Sequence, residues 1–196
     1  MRKVCKDLLI DFALKDQDMV FITGDLGFEF NAFKDKFPHR YFNLGVCEQT
    51  MIGVAAGMAI EGLKPIVYSI TPFLLERPFE QIKIDLDQQN LNVTLLGYAD
   101  YPGMGPTHAE LDWQTISTLF RNTKFFFPKS TEEAKNDIIE SYNFPGPSIV
   151  SLKKAPEVST GEQITEPINQ PQPVSQDESS LLQERDTGPD FLSRMR

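Results

Sequence analysis

The sequence predicts an α/β protein: a doubly wound, mostly parallel six-stranded sheet with helices on both faces. Three observations carry this expectation. Short, continuously apolar runs recur through residues 1–152, segments of helical period separate them, and Gly/Pro-containing loops follow several of the runs. Strands apolar on both faces and alternating with helices are what a parallel sheet covered on each side requires.

The elements follow in order. Val4, Leu8, Leu9 and Phe12 recur at helical spacing, so 3–15 is an amphipathic helix. Residues 19–23 form an apolar strand ending at Gly24-Asp25, and 41–43 form a second, shorter one ahead of Gly45. Residues 48–60 are helix-forming and stop at Gly62, a suitable C-terminal cap. Strands are expected at 65–70, 92–98, 124–127 and 148–152, with helices at 73–88, 111–120 and 131–141. In such a sheet, ligands bind beyond the carboxyl ends of the strands.

Composition narrows the function. The 196 residues are 40% hydrophobic, enough for a core, and the formal net charge is -9. That sign opposes phosphate backbones and anionic lipid, so nucleic-acid and membrane roles are not expected. No stretch reaches the roughly 20 apolar residues of a membrane span, and the start has no signal-peptide core. Cys5 and Cys47 allow at most one internal disulfide. A soluble, cytoplasmic protein is the expectation. From Lys153 to the end the chain turns polar and Pro-rich, so 153–196 reads as a disordered tail. Its patch at 179–192, with Leu181, Leu182, Phe191 and Leu192, reads as solvated tail, a short docking element being the alternative.

Three loops at strand carboxyl ends have unusual composition: Gly24-Asp25-Leu26-Gly27, Asn43-Leu44-Gly45-Val46-Cys47-Glu48, and the glycine-rich stretch from Gly97 to His108. Glu48 is the most informative residue. A carboxylate in a first helical turn ordinarily just complements the helix dipole. Here, however, no charge occurs from Gln49 to Ile60, and a helix apolar all round is buried. Glu48 is therefore expected at a buried end, and Gly53 and Gly57 on its helix would let another backbone approach closely, as at a subunit interface. Burial disfavours the charged form and suits the carboxyl to sharing a proton. Arg77 has Glu76 and Glu80 within reach as ion-pair partners, the alternative being a substrate anion. Cys47 reads as a packing residue, and His39 and Arg40 as structural. Two histidines and two cysteines without tight spacing make no zinc site.

These motifs together resemble the pyrimidine-binding domain of transketolase-type, thiamine-diphosphate-dependent enzymes. The resemblance runs through Gly24-Asp25-Leu26, 37–43, Gly45-Val46-Cys47-Glu48 and the helix after it, Gly62-Leu63-Lys64-Pro65, 73–82 and Gly105-Pro106-Thr107-His108, over about 1–152. It implies that Glu48 hydrogen-bonds the ring nitrogen N1′ of the aminopyrimidine, readying the cofactor to attack a ketose. It implies that Phe73 packs on the pyrimidine face, and it places Asp25 and Leu26 near the cofactor. His108 would face the substrate, a sugar or sugar phosphate, with Arg77 as a further substrate-binding candidate. The family commonly has an acidic residue where this chain has Met104.

The family holds the diphosphate and its Mg2+ or Ca2+ through a Gly-Asp-Gly motif followed by Asn. Gly24-Asp25-Leu26-Gly27 departs from that pattern, so no metal ligand is assigned to this chain. The resemblance thus implies a split enzyme, with a diphosphate-binding partner subunit that holds the metal, in a dimer or heterotetramer. Two alternatives stay open: a non-catalytic, regulatory remnant, and a 2-oxo acid decarboxylase or 1-deoxyxylulose-phosphate-synthase-like component.

Overall fold

The computed structural model describes residues 1–154, so the tail expected over 153–196 falls almost wholly outside the described residues. Six strands are present: β1 (Met19–Thr23), β2 (Tyr41–Asn43), β3 (Lys64–Ser69), β4 (Thr94–Tyr98), β5 (Lys124–Phe126) and β6 (Ser148–Leu152). They form one sheet in the order β2-β1-β3-β4-β6-β5, and every neighbouring pair is parallel. The register sets Phe21 beside Tyr41 and Ile66, and Leu95 beside Ile149.

Alternate strand side chains feed two separate cores, as the pleat dictates. Phe21, Tyr68, Leu96 and Val150 pack on one face beneath α1 (Arg2–Lys15) and α7 (Thr131–Asn143). The two helices meet where Phe12 stacks on Tyr142 with ring centroids 4.2 Å apart. Ile22, Val67, Leu95 and Ile149 pack on the other face against α3 (Glu48–Ile60) and the segment that follows β3. At the amino edge, Arg40 donates to the carbonyls of Ala13 and Asp16, the structural role expected of it.

Helix α3 ends as its sequence suggests. Gly62 takes φ +90°, and the Gly62 and Leu63 amides donate back to Ala59 and Met58. Its burial differs from expectation. Met51, Ile52, Ala55 and Ala56 press on the sheet, while Gly53 and Gly57 lie exposed, with nothing within 4 Å of where a Cβ would stand. An uncharged helix therefore has one bare face in this chain.

The expected helix over 73–88 is broken. Pro78 has no N–H and its ring crowds the preceding turn, so α4 (Thr71–Leu75) stops short of it. The chain resumes in α5 (Phe79–Gln81) and widens into a π-helix over Ile82–Asp87. The expected helix over 111–120 shortens to α6 (Trp113–Ile116), capped by the Asp112 carboxylate, and a 3₁₀ turn at Ser117–Leu119. Between β1 and β2 a 3₁₀ turn (Asp25–Phe30) and α2 (Asn31–Lys36) lie in a stretch too short to show a period.

The π-helix turns Asp87 inward, where it is 4% exposed. Its Oδ1 accepts from the amides of Asn122 and Thr123 at 2.9 and 2.8 Å and from the Thr123 hydroxyl at 2.7 Å, and the Arg121 amide adds a longer bond. Burial pushes this carboxyl up, but the Thr123 hydroxyl and the three amides outweigh it and hold it below its ordinary value. A depressed carboxylate adds stability above its unfolded pKa of about 3.9 that disappears as pH falls. Asp87→Asn is therefore expected to cost about 1–3 kcal/mol in urea unfolding at pH 7, the cost of leaving buried donors poorly paired, and distinctly less at pH 3.

Candidate functional site

A parallel sheet brings all its β-to-α loops to one edge, and the direction of winding across the sheet switches between β1, which has β2 on its outer side, and β3. The loops after β1 and β2 touch. A Cβ on Gly24 would stand 2.6 Å from the carbonyl oxygen of Gly45, so only glycine permits this approach. The Leu44 amide donates to Thr23 O at 2.9 Å, and Gly45, at φ +69°, turns the chain into the start of α3. Glu48 is the first residue of that helix and is 4% exposed.

After β3, Pro72 in the first turn of α4 fixes the backbone that presents Phe73. The Thr71 amide donates to Ala99 O at 3.0 Å, and Ala99 itself sits at φ 55°, a left-handed conformation held from both sides. Beyond it the loop closes on itself: Tyr101 N donates to His108 O at 2.7 Å, and His108 N to Gly105 O at 3.0 Å.

A charged carboxylate out of water needs a partner, and Glu48 has one. Arg77 Nη1 lies 3.1 Å from Glu48 Oε1, not on Glu76 or Glu80 as sequence proximity suggests. Glu76 instead accepts from the Leu111 amide at 2.9 Å. The Arg77 guanidinium also lies over the Phe73 ring, 3.3 Å from its centroid. His108 meets the same ring edge-on at 4.8 Å between centroids. Phe73 and His108 further line a cavity of about 220 Å³ together with Asp25, Leu26, Ile70, Tyr101 and Met104. All six residues singled out as site candidates thus converge: four line the cavity, Arg77 lies on Phe73, and Glu48 is bonded to Arg77.

Several neighbours carried no sequence signal. Arg2, on the far end of α1, donates to Glu29 at 2.8 Å and to the Tyr101 hydroxyl at 3.2 Å, tying the loops after β1 and β4 together. Three hydroxyls at the same sheet edge, Thr23 Oγ1, Ser69 Oγ and Thr71 Oγ1, are buried without a partner among the described residues. Cys47 is exposed, contrary to the packing role expected of it, whereas Cys5 is fully buried and burial pushes its thiol up to about 12. Among the described residues no three His, Cys, Asp or Glu side chains are grouped to hold a metal, and no helix is long and apolar enough to cross a membrane.

The carboxyl edge of this α/β fold thus carries a buried carboxylate and an aromatic ring joined by Arg77, and comparison with known proteins gives the family. The family described as "Transketolase, pyrimidine binding domain" matches residues 1–156, and the chain belongs to that family. One subunit of the apulose-4-phosphate transketolase of Actinobacillus succinogenes is 35% identical over 131 residues, covering 64% of this chain and 42% of the relative. The 1-deoxy-D-xylulose-5-phosphate synthase of Methylobacillus flagellatus is 35% identical over 154 residues, 76% of this chain and 25% of the relative. The chain thus spans less than half the length of either relative. Among solved structures, a split-gene transketolase in an inactive beta4 tetramer superposes with TM-score 0.70 at 23% identity, over 79% of this chain and 51% of that one. Transketolase from Leishmania mexicana gives 0.68 at 17% identity, over 78% of this chain and 25% of that one. At those identities the likeness is one of fold.

The family implies thiamine diphosphate, and the site suits its aminopyrimidine. Glu48 and Phe73 already hold one flat, N–H-bearing group, the Arg77 guanidinium, between a carboxylate and a ring face. The geometry rests on the contact of Gly24 with Gly45. Gly24→Ala is expected to cost about 1–3 kcal/mol through overpacking and to shift the start of α3, read as a lowered urea midpoint with changed Glu48 and Arg77 resonances in NMR spectra.

Proposed function

We propose that this chain supplies the pyrimidine half of a thiamine-diphosphate site in a split, transketolase-like enzyme that moves a two-carbon ketol unit between sugars or sugar phosphates. Its partner is a second chain that binds the diphosphate and holds the Mg2+ or Ca2+, in a dimer or heterotetramer. The observation that carries this reading is the buried Glu48 carboxylate, joined through Arg77 to the Phe73 ring, within a transketolase-type pyrimidine-binding family.

When bound, thiamine diphosphate supplies the nucleophilic carbon and the electron sink. Each residue of the chain has a limited task. Glu48 holds a proton against a ring nitrogen, and its low exposure keeps water from competing for that proton. Phe73 offers its face to the ring, and Asp25 and Leu26 border it from the loop after β1. His108, beside Phe73, donates to the substrate oxygen that gains charge as the carbonyl is attacked. Arg77 is the cation offered to a substrate anion.

The partner's docking face is the carboxyl edge and the bare side of α3. Phe28, Val46 and Met104, each in a loop after a strand, are about two-thirds exposed, and Gly53 and Gly57 leave α3 open to close approach. Two of the similar proteins support a divided enzyme, since one is a transketolase subunit and the other a split-gene transketolase. Free cysteines fit a reducing, cytoplasmic setting.

A second reading, a 1-deoxyxylulose-phosphate-synthase-like component, is favoured by the match to that synthase over 154 residues. It keeps the same role for Glu48 but takes a 2-oxo acid as donor. A panel of ketose and 2-oxo acid donors, given to the chain mixed with a Gly-Asp-Gly partner from the same genome, separates the two. With the productive donor, Glu48→Gln is expected to lower kcat by about 100-fold or more while the thermal melt is unchanged. Full activity in that variant would refute the assignment of Glu48.

A further inference from the structure

Arg77 has one property that substrate binding does not require. It covers both of the groups that the proposed function reserves for the cofactor ring. Its guanidinium lies 3.3 Å over Phe73, and its Nη1 donates to Glu48 at 3.1 Å. Glu76, its immediate neighbour in sequence, is engaged with the Leu111 amide, so Glu48 is the carboxylate that holds it. The two partners differ in freedom. The Glu48 side chain is 4% exposed and anchored at the start of α3, whereas that of Arg77 is 37% exposed. If the pair opens, the arginine is the member with a route to water.

A guanidinium and an aminopyrimidine present the same features to these two groups. Both are flat, both stack on an aromatic face, and both carry in-plane nitrogen groups that meet a carboxylate. Only one of them can lie on Phe73 and bond Glu48 at a time. We propose that Arg77 is a latch: in the free chain it occupies the pyrimidine-recognition surface, and a planar heterocycle binds there only by displacing it. This rests on the proposed function and deepens it.

The latch has consequences for assembly. While Arg77 is in place, the Glu48 carboxylate is paired with a cation and the Phe73 face is covered, so the chain alone carries neither a bare buried carboxylate nor an open aromatic platform. Displacing Arg77 frees a cation at the site for a substrate anion. The arginine side of the pair is partly in solvent and the ring contact is a modest one, so the hold is strong enough to compete and weak enough to yield.

The test uses the full chain without a partner and thiamine as the probe, because thiamine carries the aminopyrimidine but no diphosphate. Binding is followed by NMR line broadening and saturation transfer on the pyrimidine protons, with thermal melts confirming that each variant is folded. Arg77→Ala is expected to bind thiamine about tenfold more tightly than the unaltered chain, the order of effect for removing one partly exposed ion pair and one cation–ring contact. The gain should vanish in Arg77→Ala/Glu48→Ala. Arg77→Lys, which keeps the charge but not the flat stacking group, should gain less than Arg77→Ala. If Arg77→Ala binds no better than the unaltered chain, including the case in which neither binds, the latch is wrong. That failure is separable from failure of the proposed function, which is read independently from the activity of Glu48→Gln in the reconstituted pair.

Discussion

The site is organised around a carboxylate that the fold removes from water. Glu48 opens α3 at 4% exposure, and a bare charge in such a place is costly, by several kcal/mol in proteins. Whatever meets that carboxylate must carry a hydrogen or a positive charge. In the free chain it is Arg77, recruited across 29 residues of sequence. The same requirement makes Glu48 suited to hold a proton on a heterocycle. The Phe73 ring supplies the flat surface that any partner of Glu48 also meets.

The sheet makes this placement possible. Because all six strands are parallel, the loops carrying Asp25, Glu48, Phe73 and His108 arrive at one edge. Backbone details then close the distances: Gly24 against Gly45, Ala99 at a left-handed angle, and Tyr101 bonded back to His108. Arg2 ties two of these loops from the end of α1, so a helix remote in sequence from the site contributes to its shape.

Much of this was legible in the residues. Continuous apolar runs and intervening helical periods identify all six strands: the four inner ones are buried and admit few polar residues, while the edge strands β2 and β5 are partly exposed. Glu48, Phe73 and His108 stand out because each follows a strand and belongs to an ordered set of motifs. What stayed hidden depends on distance or on backbone detail. The partner of Arg77 is a tertiary contact, and proximity in sequence points instead to Glu76 and Glu80. The break at Pro78 and the π-helix that turns Asp87 inward are local geometry that apolar periodicity passes over. Periodicity also misreads α3. A helix without charge is not thereby buried all round: α3 keeps a bare face in this chain, at Gly53 and Gly57.

The chain therefore presents a buried carboxyl, a ring face with a histidine against its edge, and an open helix surface. Everything proposed for it depends on whether Glu48 acts on the cofactor's reactivity. The direct measurement is exchange of the thiazolium C2 proton of thiamine diphosphate with solvent deuterium, followed by quenched-flow NMR on the chain assembled with a Gly-Asp-Gly partner. Exchange is predicted to be much faster in the assembly than in free cofactor, and to fall by about 100-fold or more in Glu48→Gln with cofactor still bound. Unchanged exchange in that variant would contradict the role given to Glu48.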